Sequence, residues 1–186
     1  MIETGKVLDI QSKIKCIKTA EEVQQALDKI AAEITEKLHD KNPIVMTVLT
    51  GSIVPTGQLV TRLNFPLQLD YLHATRYQGK IHASQLHWIA EPRMDLKDRT
   101  ILIIEDVLDQ GTTLAEVITF CEAQGAKEVY SAVLVDKDVV RAEGGVQQAD
   151  FTGMLVENLF LIGFGMDYEG YFRNLPGLHA VVEPLD

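Results

Sequence analysis

The sequence predicts an α/β protein in which a mostly parallel, twisted sheet is flanked by helices. Three observations predict it. The runs in NPIVMTVLTGS, RTILIIED and EVYSAVLVDK are short, continuous and apolar, as in strands covered on both faces. The segment between the second and third runs carries an apolar stripe at helical spacing. Strand–helix–strand alternation is accommodated by a parallel sheet with helices on both faces.

The elements follow in order. Thr19–Asp40 reads as a helix, with Val23, Leu27, Ile30, Ile34 and Leu38 on one face. Thr19 and Glu22 make a capping-box pattern at its start. Residues 42–52 form a buried strand ending in glycine, and 54–64 a short helix. In 65–80, Leu67, Leu69 and Tyr71 alternate with Gln68 and Asp70, as in a strand, which runs out into the polar stretch TRYQGKIHAS. QLHWIAE is a further strand, paired with the previous one. RTILIIED is the strongest buried strand. The helix after it has a second capping-box pattern, Thr113 with Glu116, and an apolar stripe of Leu114, Val117, Ile118 and Cys121. Gly125 is its expected stop. Residues 128–137, 150–157 and 158–168 supply the remaining strands.

Composition limits the function. At 186 residues the chain is expected to form one domain, large enough to bury a core without staples. Its net charge of −10 speaks against a general nucleic-acid binder, which needs a basic face. Cys16 and Cys121 make neither a disulfide framework nor a metal pattern. The first fifteen residues hold no apolar signal core, and no stretch reaches the length of a membrane span. A cytoplasmic location with no membrane partner is expected.

The chemistry is concentrated in ILIIEDVLDQGTTL, residues 101–114. A buried strand runs into Glu105 and Asp106, and Asp109 follows. In a parallel sheet, ligands sit at the carboxyl ends of strands. Gly111 lets the backbone approach a ligand closely. The hydroxyls of Thr112 and Thr113, with the free amides of a first helical turn, suit one phosphate group. No Walker loop and no GxGxxG is present. Carboxylates beside a phosphate site make sense when they face something else. They accept hydrogen bonds from sugar hydroxyls, and they attract magnesium held by substrate phosphates. The pattern therefore fits a ribose 5-phosphate.

This stretch resembles the phosphoribosyl pyrophosphate (PRPP) signature of type I phosphoribosyltransferases, close to the hypoxanthine-guanine branch. LTGS, TRY, LVDK and NLFLIGFGMDYEGYFRNLP follow in the order of that family. The resemblance implies the type I phosphoribosyltransferase fold as a single domain over 1–186. Its core would span about 20–150, and a hood would form from the N-terminal segment and about 151–186. It also implies magnesium, PRPP and 6-oxopurine bases as ligands, and a homodimer or homotetramer.

By that resemblance, Glu105 and Asp106 hold the ribose hydroxyls, in part through magnesium. Asp109 exchanges a proton with the purine imidazole-ring nitrogen that attacks the anomeric carbon. Gln110, Gly111, Thr112 and Thr113 wrap the 5-phosphate. Lys137 donates to the purine 6-oxo group, Phe160 stacks on the purine, and Leu161 offers main-chain contacts. Asp167 belongs beside the purine and a second magnesium. Thr50 and Gly51 form the pyrophosphate loop, with a cis peptide after Leu49, and Arg173 grips the pyrophosphate. Arg76 and Tyr77 lie in a lid that closes over the site.

Two departures stand out: Thr50 replaces a lysine of many relatives, and Arg76-Tyr77 replaces Ser-Tyr. The competing readings are a xanthine-preferring enzyme, a regulatory nucleotide- or RNA-binding protein of the same fold, and an unrelated doubly wound nucleotide-binding domain. His73, His82, His87 and Trp88 fit no metal pattern and are read as packing or surface residues.

Overall fold

The computed structural model describes residues 7, 10–76 and 86–181, with backbone alone at 75, 76 and 86. Tyr77 and His82 lie outside the described residues, as does the side chain of Arg76.

The chain order is β1 (Ile14–Lys18), α1 (Ala20–Leu38), β2 (Ile44–Leu49), α2 (Ile53–Val60), β3 (Gln68–Arg76), β4 (Leu86–Ala90), β5 (Thr100–Leu108), α3 (Thr112–Ala123), β6 (Glu128–Asp138), β7 (Phe151–Glu157), β8 (Leu161–Ile162) and β9 (Leu178–Val181). Six strands form the main sheet in the order β4-β3-β2-β5-β6-β7. Every pairing is parallel except β3 with β4. A second, three-stranded sheet, β1-β9-β8, is antiparallel.

Each element follows from its sequence. The capping box at α1 forms in both directions: the Glu22 amide donates to the Thr19 hydroxyl at 3.2 Å, and the Thr19 amide donates to the Glu22 carboxylate at 2.8 Å. The stripe Val23, Leu27, Ile30, Ile34 and Leu38 is buried. Each such side chain contributes roughly 1.5–3 kcal/mol of burial. Strand β5 is covered on both faces. Leu102 and Ile104 join the cluster under α1, and Ile101 and Ile103 the one under α3. Trp88 stacks tilted on Phe120 with ring centroids 4.5 Å apart. Cys121 is a buried core residue, and burial pushes its thiol up to about 11.

Three expectations are corrected. First, β3 turns the other way: Asp70 is buried, while Leu69 and Tyr71 are half exposed. The Asp70 carboxylate accepts hydrogen bonds from the amides of Tyr71, Arg93 and Met94, at 2.9, 2.8 and 2.8 Å, which offsets its burial. Second, α3 starts at Thr112 with Gly111 as its N-cap, so Thr113 lies inside the first turn rather than at the cap. Third, β7 pairs with β6 in the main sheet, so the hood boundary drawn near 151 moves beyond Glu157. The hood consists of β1, β8 and β9, with Ile10, Ile162 and Phe172 at its centre.

Candidate functional site

The site forms where β2, β5 and β6 end. β5 continues two residues beyond Asp106, so both acids are still in the strand. Adjacent strand residues point to opposite faces. Glu105 is buried, and Asp106 keeps a partly exposed edge. The Asp106 carboxyl lies against Gly51, where an added Cβ would collide with it. Gly51 follows the Leu49–Thr50 peptide, which is cis. A side chain at 51 would have to push the Asp106 carboxyl aside.

Burial pushes the Asp106 carboxyl from 3.8 up to about 6. The amides of Asp106 and Val107 and the charge of Arg173 pull it down, and Asp167 adds an upward push. A folded-state pKa above the unfolded value means that the ligand-free fold holds the proton more tightly. The group's stabilising contribution is complete at low pH and is lost as pH rises from about 4 through 6. Asp106→Asn is therefore expected to raise the melting temperature of the ligand-free protein at pH 7. The gain corresponds to at most about 3 kcal/mol at 1.36 kcal/mol per unit and shrinks as the pH approaches 4. Melting curves across that range test it, and a variant no more stable than wild type at pH 7 would refute it.

The turn after β5 comes next. Asp109 and Gln110 are exposed, and Gly111 has φ +78°. Glycine adopts this left-handed conformation without penalty. As N-cap it has no side chain, so it gives the first amides of α3 no capping hydrogen bond. Such a helix start favours an anion. Residues 105–114 line a cleft of about 280 Å³. A wider depression of about 750 Å³ opens beside it, past the ends of β6 and β7, with Lys137 on its wall.

Lys137 and Asp109 meet. The ammonium lies 3.1 Å from the carboxylate, with Lys137 nearly buried and Asp109 half exposed. On the other side of the cleft, the hood brings Asp167 and Arg173 together at 2.6 Å. Arg173 also donates to the Gly165 carbonyl at 2.6 Å. Gly165, at φ +105°, packs on the Gly51 carbonyl, where a Cβ would clash. The hood is thereby seated on the 49–52 turn. Phe160 is 55% exposed, its ring edge-on to Tyr168 at 5.8 Å, and Leu161 is buried in β8.

The structure thus gathers Thr50, Gly51, Asp106, Asp167 and Arg173 on one side, and Asp109 with Lys137 on the other. Glu105, Asp106 and Asp167 do not form a three-ligand metal cluster, and none exists among the described residues. The sequence reading missed Asp70, Arg141 and Gly165. A lone arginine in DVVRAEGG carries no local signal. The glycines of LIGFGMDY could have pointed to the close approach at Gly165.

Comparison with known proteins agrees with this geometry. The phosphoribosyl transferase domain matches residues 14–169. The hypoxanthine-guanine-xanthine phosphoribosyltransferase of Tritrichomonas foetus is 30% identical over 185 residues, covering 100% of this chain and 99% of that protein. The hypoxanthine-guanine phosphoribosyltransferase of Streptococcus pneumoniae is 31% identical over 174 residues, covering 92% and 94%. A solved structure of a hypoxanthine-guanine-xanthine phosphoribosyltransferase has a TM-score of 0.82 at 28% identity, covering 91% of this chain and 97% of that one. With its parallel sheet, its glycine turn at the tip of β5 and its hood, the chain belongs to the phosphoribosyl transferase domain family, in the branch of the hypoxanthine-guanine phosphoribosyltransferases.

Proposed function

We propose that the protein transfers phosphoribosyl from PRPP to hypoxanthine or guanine in purine salvage, giving IMP or GMP and pyrophosphate. The observation that carries this reading is the Lys137–Asp109 contact of 3.1 Å beside the glycine turn. A 6-oxopurine presents its carbonyl oxygen next to an imidazole-ring nitrogen on one edge. A cation and a carboxylate held side by side match that edge. Lys137 donates to the carbonyl, and Asp109 takes the proton from that adjacent nitrogen, not from the attacking one, as the ring's other nitrogen bonds the sugar. A 6-aminopurine would set a donor against Lys137, a mismatch of roughly 1–3 kcal/mol.

The other residues divide the sugar phosphate among them. Gly111 and the first-turn amides of α3, with Gln110 and the Thr112 and Thr113 hydroxyls, hold the 5-phosphate. Glu105 and Asp106 accept from the ribose hydroxyls. Thr50, Gly51 and Arg173 face the departing pyrophosphate. Phe160 stacks on the base, and the Leu161 main chain meets its edge.

The donors fit magnesium held largely by substrate. Magnesium takes one or two carboxylates and completes its shell with phosphates and water, and no three-ligand cluster is needed. Asp167 pairs with Arg173, and Asp106 feels the charge of both. When bound, magnesium would neutralise charge developing on the leaving group. A cytoplasmic homodimer or homotetramer belongs to the same reading, and sedimentation measures the assembly.

The test is a spectroscopic assay with PRPP, magnesium and each base. Hypoxanthine and guanine are expected to turn over, adenine to fail, and EDTA to stop the reaction. Turnover of none of the 6-oxopurines, or of adenine at a matching rate, would overturn the proposal. Xanthine as the fastest base would favour the second reading, which the xanthine in the Tritrichomonas relative's name supports.

A further inference from the structure

The β6–β7 connection, residues 139–150, contains no helix, yet it is built against the site. Its main chain is fastened to the phosphate turn. The Ala142 amide donates to the Gln110 carbonyl at 3.1 Å, and the Val146 amide to the Gly111 carbonyl at 3.0 Å. A Cβ on Gly145 would meet the Gln110 carbonyl, and one on Gly111 would meet the Val146 backbone. Arg141 pins the connection from within. Its guanidinium pairs with Asp136, and both side chains are nearly buried. One nitrogen, Nη1, donates to the carbonyls of Asp109 at 2.5 Å, Lys137 at 3.0 Å and Leu108 at 3.3 Å, while Nε reaches the Gln147 carbonyl at 3.4 Å.

These contacts single out the two residues proposed to read the base. Arg141 holds the main chain of Asp109 and of Lys137 with the same nitrogen. Asp109 follows the end of β5, and Lys137 lies near the end of β6. A lysine here could keep the charge opposite Asp136, but its single ammonium cannot reproduce a planar fork of donors.

We infer that Arg141 is a positioning residue, which sets the spacing of the Lys137–Asp109 pair and so the fit of the purine's oxo and imidazole edge. The inference rests on the proposed function. Arg141 is hydrogen-bonded to the main chains of Asp109 and Lys137 and acts through these two residues. The phosphate turn keeps its own main-chain contacts with Ala142 and Val146, so PRPP binding depends on Arg141 much less than base binding does.

The test compares wild type with Arg141→Lys and Arg141→Ala, measuring kcat, base KM and, separately, the PRPP dissociation constant. In Arg141→Lys, kcat/KM for the base is expected to fall by about 10- to 100-fold, the scale of a displacement near 1 Å. PRPP affinity should stay near wild type. Added guanidinium should restore part of the turnover of Arg141→Ala. If that variant does not fold, the lysine variant decides alone. Wild-type base kinetics in Arg141→Lys would overturn the inference. So would parallel loss of PRPP and base binding, the signature of a purely structural role. Wild-type protein inactive on every 6-oxopurine would sink the functional reading and this inference with it, whereas an active wild type with indifferent Arg141 variants sinks the inference alone.

Discussion

Asp109→Asn is expected to lower kcat by about 10²- to 10⁴-fold, the range of a lost general base, while PRPP still binds. Asparagine keeps the size and one acceptor of the side chain but cannot take up a proton. Asp109 is half exposed and its carboxylate pairs with Lys137, so the change disturbs no core packing. The turn after β5 owes its shape to Gly111 and its contacts with Val146, which are untouched. The expected signature is therefore a fall in kcat without a matching fall in PRPP affinity, measured by steady-state turnover and by direct PRPP titration. Turnover at the wild-type rate would remove Asp109 from proton transfer. Loss of PRPP binding would instead mean that its main role is to shape the turn.

Gly111→Ala should act on both stability and binding. A non-glycine residue in the left-handed region costs roughly 1–2 kcal/mol. Here the new Cβ would also run into the Val146 main chain, which is hydrogen-bonded to Gly111 and has little room to yield. The turn must shift, and the amides at the start of α3 shift with it. Destabilisation of about 1–3 kcal/mol is expected in denaturant melts, together with a loss of PRPP affinity that exceeds the loss for free base. Gly57→Ala is the matched control. Among the described residues beyond its own helix, nothing lies within 4 Å of its added Cβ, and it sits inside α2. That change should be neutral or slightly stabilising, because alanine favours the helix. Equal behaviour of the two variants would show that the left-handed turn is not needed for the phosphate.

The sequence made local features legible and left most long-range ones hidden. The capping box of α1 and the apolar stripe behind it are patterns within a few residues, and both formed as read. The buried run of β5 and the glycine turn after it lie in one contiguous stretch. β1 and β9 are different: five and four residues long, they pair across most of the chain, and neither has enough length to show a period. Asp70 looked like the polar member of an alternating strand. Its partners, the amides of Arg93 and Met94, are more than twenty residues away, and they made the inward position the satisfied one. The hood boundary was misplaced because β7 is short, and only its pairing with β6 assigns it to the main sheet. Arg141 was unreadable because its carbonyl partners come from β5, β6 and a loop, none of which leaves a mark near it in sequence.

Lys137 and Asp109 are joined before any base arrives. Each quenches the other's charge, so a stray chloride or an ammonium ion has little to gain from lodging there. A newcomer must part them and satisfy both at once, offering an oxygen to one and a proton to the other at the right separation. In the proposed reaction, the closed couple would act as a filter on entry, turning away ions of either sign and admitting a flat ring with the matching pair of atoms along one side.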